Sequence, residues 1–251
     1  MIDTHAHINL KPLINDVQTI IKNAKEYNVN KILCVGINKK TNEIAVNLAN
    51  QYSEVYASVG YHPSEVKETL DLGLLEKQLS FDKVVALGEI GIDLHWTKDN
   101  LERQKEVFLN QIDLAIKLKM PVIIHSRNSA EIIYQLIKNK KGLSGVMHCY
   151  SEHEELLDKF IQLGLYIGVG GIVTFKNANL VKNIARSIPL ERILIETDSP
   201  YLAPAPFRGK INEPKNVSYV LKELSLLLNI SEEQLKEITT NNAKRLFYKL
   251  K

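Results

Sequence analysis

Short apolar runs alternate with segments whose apolar positions recur at helical spacing, from one end of the chain to the other. The strand-like runs cover residues 1–7, 31–36, 55–60, 83–91, 121–125, 145–148, 165–170 and 192–197. Helical patterns fill the gaps at 13–28, 40–51, 64–79, 99–119, 128–139, 152–163 and 177–187. Ser64, just after Pro63, reads as an N-cap. Two further helical runs, 215–228 and 231–249, follow the last strand and are expected to pack on the outside.

Strands this continuously apolar, joined by helices, imply a parallel sheet buried on both faces. Eight such units predict an α/β fold of the (β/α)₈ TIM barrel type, with residues 1–251 as one domain. The alternative, an open doubly wound sheet, lacks support, because no glycine-rich phosphate loop follows the first strand. Residues 199–214 form the longest irregular stretch, rich in Pro and Gly, and a long loop after the final strand is a place to look for function.

Composition changes this picture little. The chain of 251 residues is 45% hydrophobic and 24% charged, enough to bury a large core without staples. Its two cysteines, Cys34 and Cys149, sit in apolar runs and read as free core thiols, which points to a reducing cytoplasm. No apolar run approaches the roughly 20 residues of a membrane span, and the N-terminus lacks a signal-peptide pattern. A cytoplasmic protein without a membrane or obligate protein partner is expected. The net charge of +3 is compatible with a nucleic-acid ligand but does not require one.

The chemistry is concentrated at strand ends. His5 and His7 lie two residues apart in the first strand and so project to one side. Glu89 closes strand four, His125 strand five, His148 strand six, and Asp198 follows strand eight. In a barrel, the carboxyl ends of the strands carry the active site. Six imidazole and carboxylate groups exceed what one ion needs and fit two divalent ions sharing a carboxylate. Glu89 is the candidate bridge, and Asp198 the candidate base that takes a proton from a metal-activated water. Each residue also has a plainer reading: Glu89 pairing with Arg127 or Lys98, Asp198 capping the next segment, a histidine simply satisfied. It is the coincidence of six ligand-type side chains with strand ends that favours a metal centre of a hydrolase.

Those residues sit in motifs that resemble a known family. Asp3-Thr-His-Ala-His7, Val59-Gly-Tyr-His-Pro63, Gly88-Glu-Ile-Gly-Ile-Asp93, Pro121-Val-Ile-Ile-His-Ser-Arg127, His148-Cys-Tyr-Ser151, Glu196-Thr-Asp-Ser-Pro-Tyr-Leu-Ala-Pro204, Arg208-Gly-Lys-x-Asn-Glu-Pro214 and Thr240-Asn-Asn-Ala-Lys-Arg-Leu-Phe247 are similar to motifs of the TatD metal-dependent deoxyribonucleases, in the same order across the whole chain. The resemblance implies a TIM barrel that hydrolyses DNA phosphodiester bonds, commonly as a 3′–5′ exonuclease. It implies one metal held by His5, His7, Glu89 and Asp198, and a second held by Glu89, His125 and His148. Two departures stand out: Glu152 where the family commonly has Gly, and His95-Trp96 where a tyrosine pair is common. They bear on substrate preference more than on the metals.

His62, Arg127, Arg208 and Lys210 are candidate substrate-binding residues, able to meet a phosphate or charge developing on it. Trp96, Tyr150 and Tyr201 are candidates for stacking on bases. Mixed nitrogen and oxygen donors admit Mg²⁺, Mn²⁺, Zn²⁺ and similar ions. Amide, lactone or aminoacyl-ester hydrolysis on the same metals is the alternative reaction. A scaffold with structural metals is disfavoured, because structural zinc sites are closed and usually thiolate-rich.

Overall fold

The computed structural model describes residues 1–95 and 99–251. The expectations placed on Trp96 and Lys98 therefore lie outside the described residues. Eight parallel strands form one sheet in sequence order: β1 (Ile2–Ala6), β2 (Lys31–Val35), β3 (Val55–Val59), β4 (Val84–Asp93), β5 (Val122–Arg127), β6 (Gly145–Met147), β7 (Tyr166–Val169) and β8 (Ile193–Ile195). Between them run α1 (Val17–Glu26), α2 (Lys39–Gln51), α3 (Leu72–Leu79), α4 (Leu101–Leu118), α5 (Ala130–Ile137), α6 (Glu154–Gln162) and α7 (Asn179–Ser187). The ring closes just beyond β8, where Ser199 bridges in parallel to Ala6. Asp198 N donates to His5 O at 2.9 Å and His7 N to Ser199 O at 2.6 Å. The fold is the expected barrel.

Why these segments fold this way is visible in burial. The strands present apolar residues to both sides, so one set faces the helices and another faces inward. The inward set includes Ile2, Leu33, Tyr56, Val85, Ile123, Val146, Tyr166 and Leu194, mostly near strand starts, packed with Ala243, Leu246 and Phe247. Those last residues belong to the end of the chain, where α8 (Val217–Leu228) is followed by α9 (Glu232–Leu246). The end of α9 thus closes the amino-terminal mouth of the barrel instead of lying on its flank as the sequence pattern implied. The carboxyl-terminal mouth is left for polar side chains.

Two expected elements differ. The helix expected over 64–79 is a single turn at Pro63–Glu65, an irregular stretch, and then α3. His62, not Ser64, caps the first turn, its Nδ1 accepting from Ser64 N at 3.1 Å. Asp71 starts α3 by accepting from Leu74 N at 2.9 Å. The helical periodicity misled because Val66 is buried and Leu70 packs on the core from an irregular backbone. Strand β4 runs on to Asp93, so Glu89 sits within it and not at its end.

Candidate metal centre

At the carboxyl ends of β1 and β8 and within β4, four side chains meet. His5 Nε2 lies 3.2 Å from His7 Nε2, 3.4 Å from Glu89 Oε2 and 3.8 Å from Asp198 Oδ1. His7 Nε2 lies 3.6 Å from the same Glu89 oxygen and 3.5 Å from the same Asp198 oxygen. The His7 ring is oriented from behind. Its Nδ1 is 3.0 Å from Val35 O, which can only accept, so Nδ1 carries the proton and Nε2 offers its lone pair. Asn9 Nδ2 donates to the same carbonyl at 2.9 Å.

Glu89 turns its second oxygen the other way. Oε1 is 2.8 Å from His125 Nδ1, 3.8 Å from His62 Nε2 and 3.9 Å from His148 Nε2. His125 also places Nε2 3.1 Å from Asp93 Oδ2. His148 Nε2 is closer to Asp198 Oδ1, at 3.6 Å, and its ring stacks on His5 with centroids 3.6 Å apart. Glu89 is thus flanked by imidazoles on both sides.

Charge follows this geometry. Burial works against a charged Glu89, but His62, His5 and His125 hold its carboxyl well below the usual carboxylate range. Asp198, likewise opposed by burial, is held down by His7, His148 and His5. Burial also disfavours charge on His148 and His125, yet the surrounding carboxylates push them up to about 10 and about 9. His62 goes the opposite way: burial, with His125 beside it, lowers it to about 3.

A metal fits this donor set. Four donors about 2.0–2.2 Å from one ion stand roughly 3.3–3.6 Å from each other in a tetrahedral arrangement. The five distances among His5, His7, Glu89 and Asp198 run from 3.2 to 3.8 Å, most of them too long for good hydrogen bonds. His5 Nδ1 is buried without a hydrogen-bond partner. His62, Glu89 and His125 form a second compact group, and His5, His148 and Asp198 a third that overlaps the first.

Sequence reasoning missed the layer behind these side chains. Glu196 Oε1 lies 2.9 Å from His148 Nδ1. Asp93 accepts from His95 N at 2.8 Å while facing His125. Asp3 accepts from Thr197 Oγ1 at 2.6 Å and Thr197 N at 3.0 Å, binding the two closing segments. Buried Asn212 donates to Thr197 O at 2.9 Å and Tyr201 O at 2.7 Å, anchoring the loop after β8. All four lay inside the motifs. For Asp3, Asp93 and Glu196 the available signal was an acid within or directly after an otherwise apolar strand.

The remaining candidates are dispersed. Arg127 is exposed at the end of β5, paired in register with Asp93, whose carboxyl it helps to hold below its ordinary value. Arg208 rests its guanidinium 4.5 Å from the Phe175 ring centroid, and Lys210 is exposed on the same loop. Tyr150 is not at the rim: it is 3% exposed, with its hydroxyl donating to His153 O at 2.7 Å. Glu152 accepts from Ser126 Oγ and, at 2.9 Å, from Ser129 N, tying the loop before α6 to the start of α5. Cys34 is buried as expected, whereas Cys149 is only half-buried.

A family model described as TatD related DNase matches residues 2–248. The chain belongs to the TatD family. Among its TatD relatives is YabD of Bacillus subtilis, named an uncharacterized metal-dependent hydrolase, 40% identical over 98% of both chains. YcfH of Escherichia coli K12, named likewise, is 35% identical over 99% of this chain and 96% of its own. The solved structure of YjjV, a TatD homolog from Escherichia coli K12, superposes with a TM-score of 0.93 at 31% identity, covering 99% of this chain and 98% of that one. This TatD protein is a metal-dependent hydrolase, and the imidazole and carboxylate groups at the barrel mouth are its candidate metal-binding clusters.

Proposed function

We propose that this hydrolase cleaves DNA phosphodiester bonds with two divalent ions, removing nucleotides from a 3′ end. The observation that carries the two-ion reading is the divided orientation of Glu89: Oε2 faces His5 and His7, while Oε1 faces His125 and His62. His5, His7, Glu89 and Asp198 would hold one ion. Glu89 with His125 and His148 would hold the other, and His62 is placed to join that second group. When bound, such a pair acidifies a water and steadies the attacking and leaving oxygens of a displacement.

The chain's own residues do the rest. Asp198, its carboxyl kept ionised by His7, His148 and His5, takes a proton on a carboxylate oxygen. Glu196 holds His148 from behind, and Asp93 holds His125. Arg127, Arg208 and Lys210 supply positive charge on the strand-end side for a phosphate backbone. DNA as the substrate is supported by the description of the matching family. No described helix is long and apolar enough to cross a membrane. The free thiols Cys34 and Cys149 accord with a cytoplasmic setting, and residues 1–251 with one catalytic domain.

The test is hydrolysis of a 5′-labelled single-stranded oligonucleotide by metal-stripped protein refilled separately with Mg²⁺, Mn²⁺ or Zn²⁺, beside an Asp198→Asn control. A metal-dependent ladder shortening from the 3′ end, absent from the control, is expected. No cleavage with metal bound would reject the nuclease and turn the search to amide, lactone and aminoacyl-ester substrates.

A further inference from the structure

The loop after β8 exposes apolar side chains next to the polar cluster at the barrel mouth. Tyr201, Leu202 and Ile211 are 54%, 37% and 58% exposed. The Tyr201 ring centroid lies 6.2 Å from that of His7, edge to face, so it stands directly beside the cluster of His5, His7, Glu89 and Asp198. Its backbone is fixed: Tyr201 N donates to Asp198 O at 2.9 Å, and buried Asn212 donates to Tyr201 O at 2.7 Å. Of the two described aromatics expected at the mouth, Tyr150 is buried and Tyr201 is not. The same loop carries Arg208 and Lys210, both exposed. An exposed aromatic held beside the cluster matches unpaired nucleotides, whose bases can stack on it.

We infer that Tyr201 is the stacking platform for the nucleobase next to the scissile phosphodiester. This rests on the phosphodiesterase reading above and adds to it a specificity-determining residue.

The test compares a phosphodiester with a base against one without. Rates of Mn²⁺-loaded wild type, Tyr201→Ala and Tyr201→Phe are measured on the 5′ and 3′ p-nitrophenyl phosphodiesters of thymidine and on methyl p-nitrophenyl phosphate. Wild type is expected to show a KM for one thymidine ester roughly ten-fold or more below that of the methyl ester, the scale of one stacked base. Tyr201→Ala should erase that ratio and Tyr201→Phe should keep it. Binding of a labelled single-stranded oligothymidylate to metal-free protein, read by anisotropy, should weaken about ten-fold in Tyr201→Ala and little in Tyr201→Phe. Turnover of all three esters with no base preference in wild type overturns the stacking role alone. A preference that survives in Tyr201→Ala also overturns it. So does an equal fall in kcat on every ester with the KM ratio intact, which would make the ring a prop for His7. No turnover of any ester by metal-loaded wild type overturns the phosphodiesterase reading and this inference together.

Discussion

Glu196 stands directly behind His148: its Oε1 is 2.9 Å from Nδ1, while Nε2 on the far side of the ring points to Asp198 at 3.6 Å. A buried carboxylate in that place favours the proton on Nδ1 and leaves Nε2 for a metal. Space for it comes from Gly168, where an added Cβ would lie 2.5–2.7 Å from the Glu196 carboxyl atoms. Replacing Glu196 by Ala should weaken metal binding by about 10- to 100-fold, the range seen when such outer partners are lost. Gly168→Ala should act in the same direction by displacing the carboxylate. Metal titration against a competing chelator reads both, and wild-type affinity in both variants would remove Glu196 from this role.

His5→Ala and Asp198→Asn take donors from the group whose members lie 3.2 to 3.8 Å apart. Turnover should fall by at least about 100-fold in each, on the scale of a lost general base or metal ligand. Far-UV circular dichroism should stay as in wild type, because neither change breaks the strand ladder. Wild-type rates in either variant, at unchanged metal stoichiometry, would exclude that residue from the mechanism.

Removing metal should lower thermal stability. The barrel mouth gathers Glu89, Asp198, Glu196 and Asp93 close together, and in the metal-free protein imidazoles, backbone N–H groups and, at Asp93, Arg127 offset them. An ion that binds the folded chain at 100 times its dissociation constant adds about 2.7 kcal/mol. For a chain of this length that is roughly 5–10 °C in Tm. Differential scanning fluorimetry before and after chelation, with refilling by Mn²⁺ or Zn²⁺, gives the answer. A Tm insensitive to metal would argue against occupied sites at the mouth.

The sequence carried the barrel and the inner ring of donors because both depend on local pattern. Alternating strand and helix periodicity needs no long-range information, and His5 and His7 announce themselves by spacing alone. Glu89 was legible as a candidate ligand but not in place: a strand that runs past such a residue to Asp93 looks the same in sequence as one that ends there. The outer ring was harder. Glu196 matters because strands six and eight bring it behind His148, a contact spanning 47 residues from Cys149 N, which also donates to it. Val66 and Leu70 show the opposite failure, since burial on an irregular backbone imitates a helix face.

Arg127 emerges from β5 exposed, beside Asp93 in register, on the same side of the barrel as His125. Its guanidinium is suited to a phosphate oxygen pair. Arg127→Ala should raise KM for a phosphodiester about ten-fold, the loss of one charge-assisted contact, with a smaller change in kcat. Steady-state rates on a single-stranded oligonucleotide check this. An unchanged KM would remove the phosphate role from Arg127.

Gly91 is the position where the site depends most directly on an absent side chain. It pairs in register with His125 across β4 and β5, at φ +156°, and an added Cβ would fall 2.0 Å from His125 O. Alanine there cannot be accommodated without parting the two strands. That separation acts on the 2.8 Å contact between His125 Nδ1 and Glu89 Oε1, so folding and chemistry should suffer together. A loss of at least about 1–3 kcal/mol, the usual range for forcing atoms into a packed interior, should appear as a lower urea midpoint. Turnover should fall well beyond what the lost stability explains. Gly164 provides the comparison: it also has positive φ, at +87°, but nothing lies within 4 Å of its added Cβ. Gly164→Ala should therefore lose only about 1 kcal/mol from the backbone term and keep its activity. Equal activity in the two variants would show that the spacing of β4 and β5 at His125 does not set the geometry of the centre.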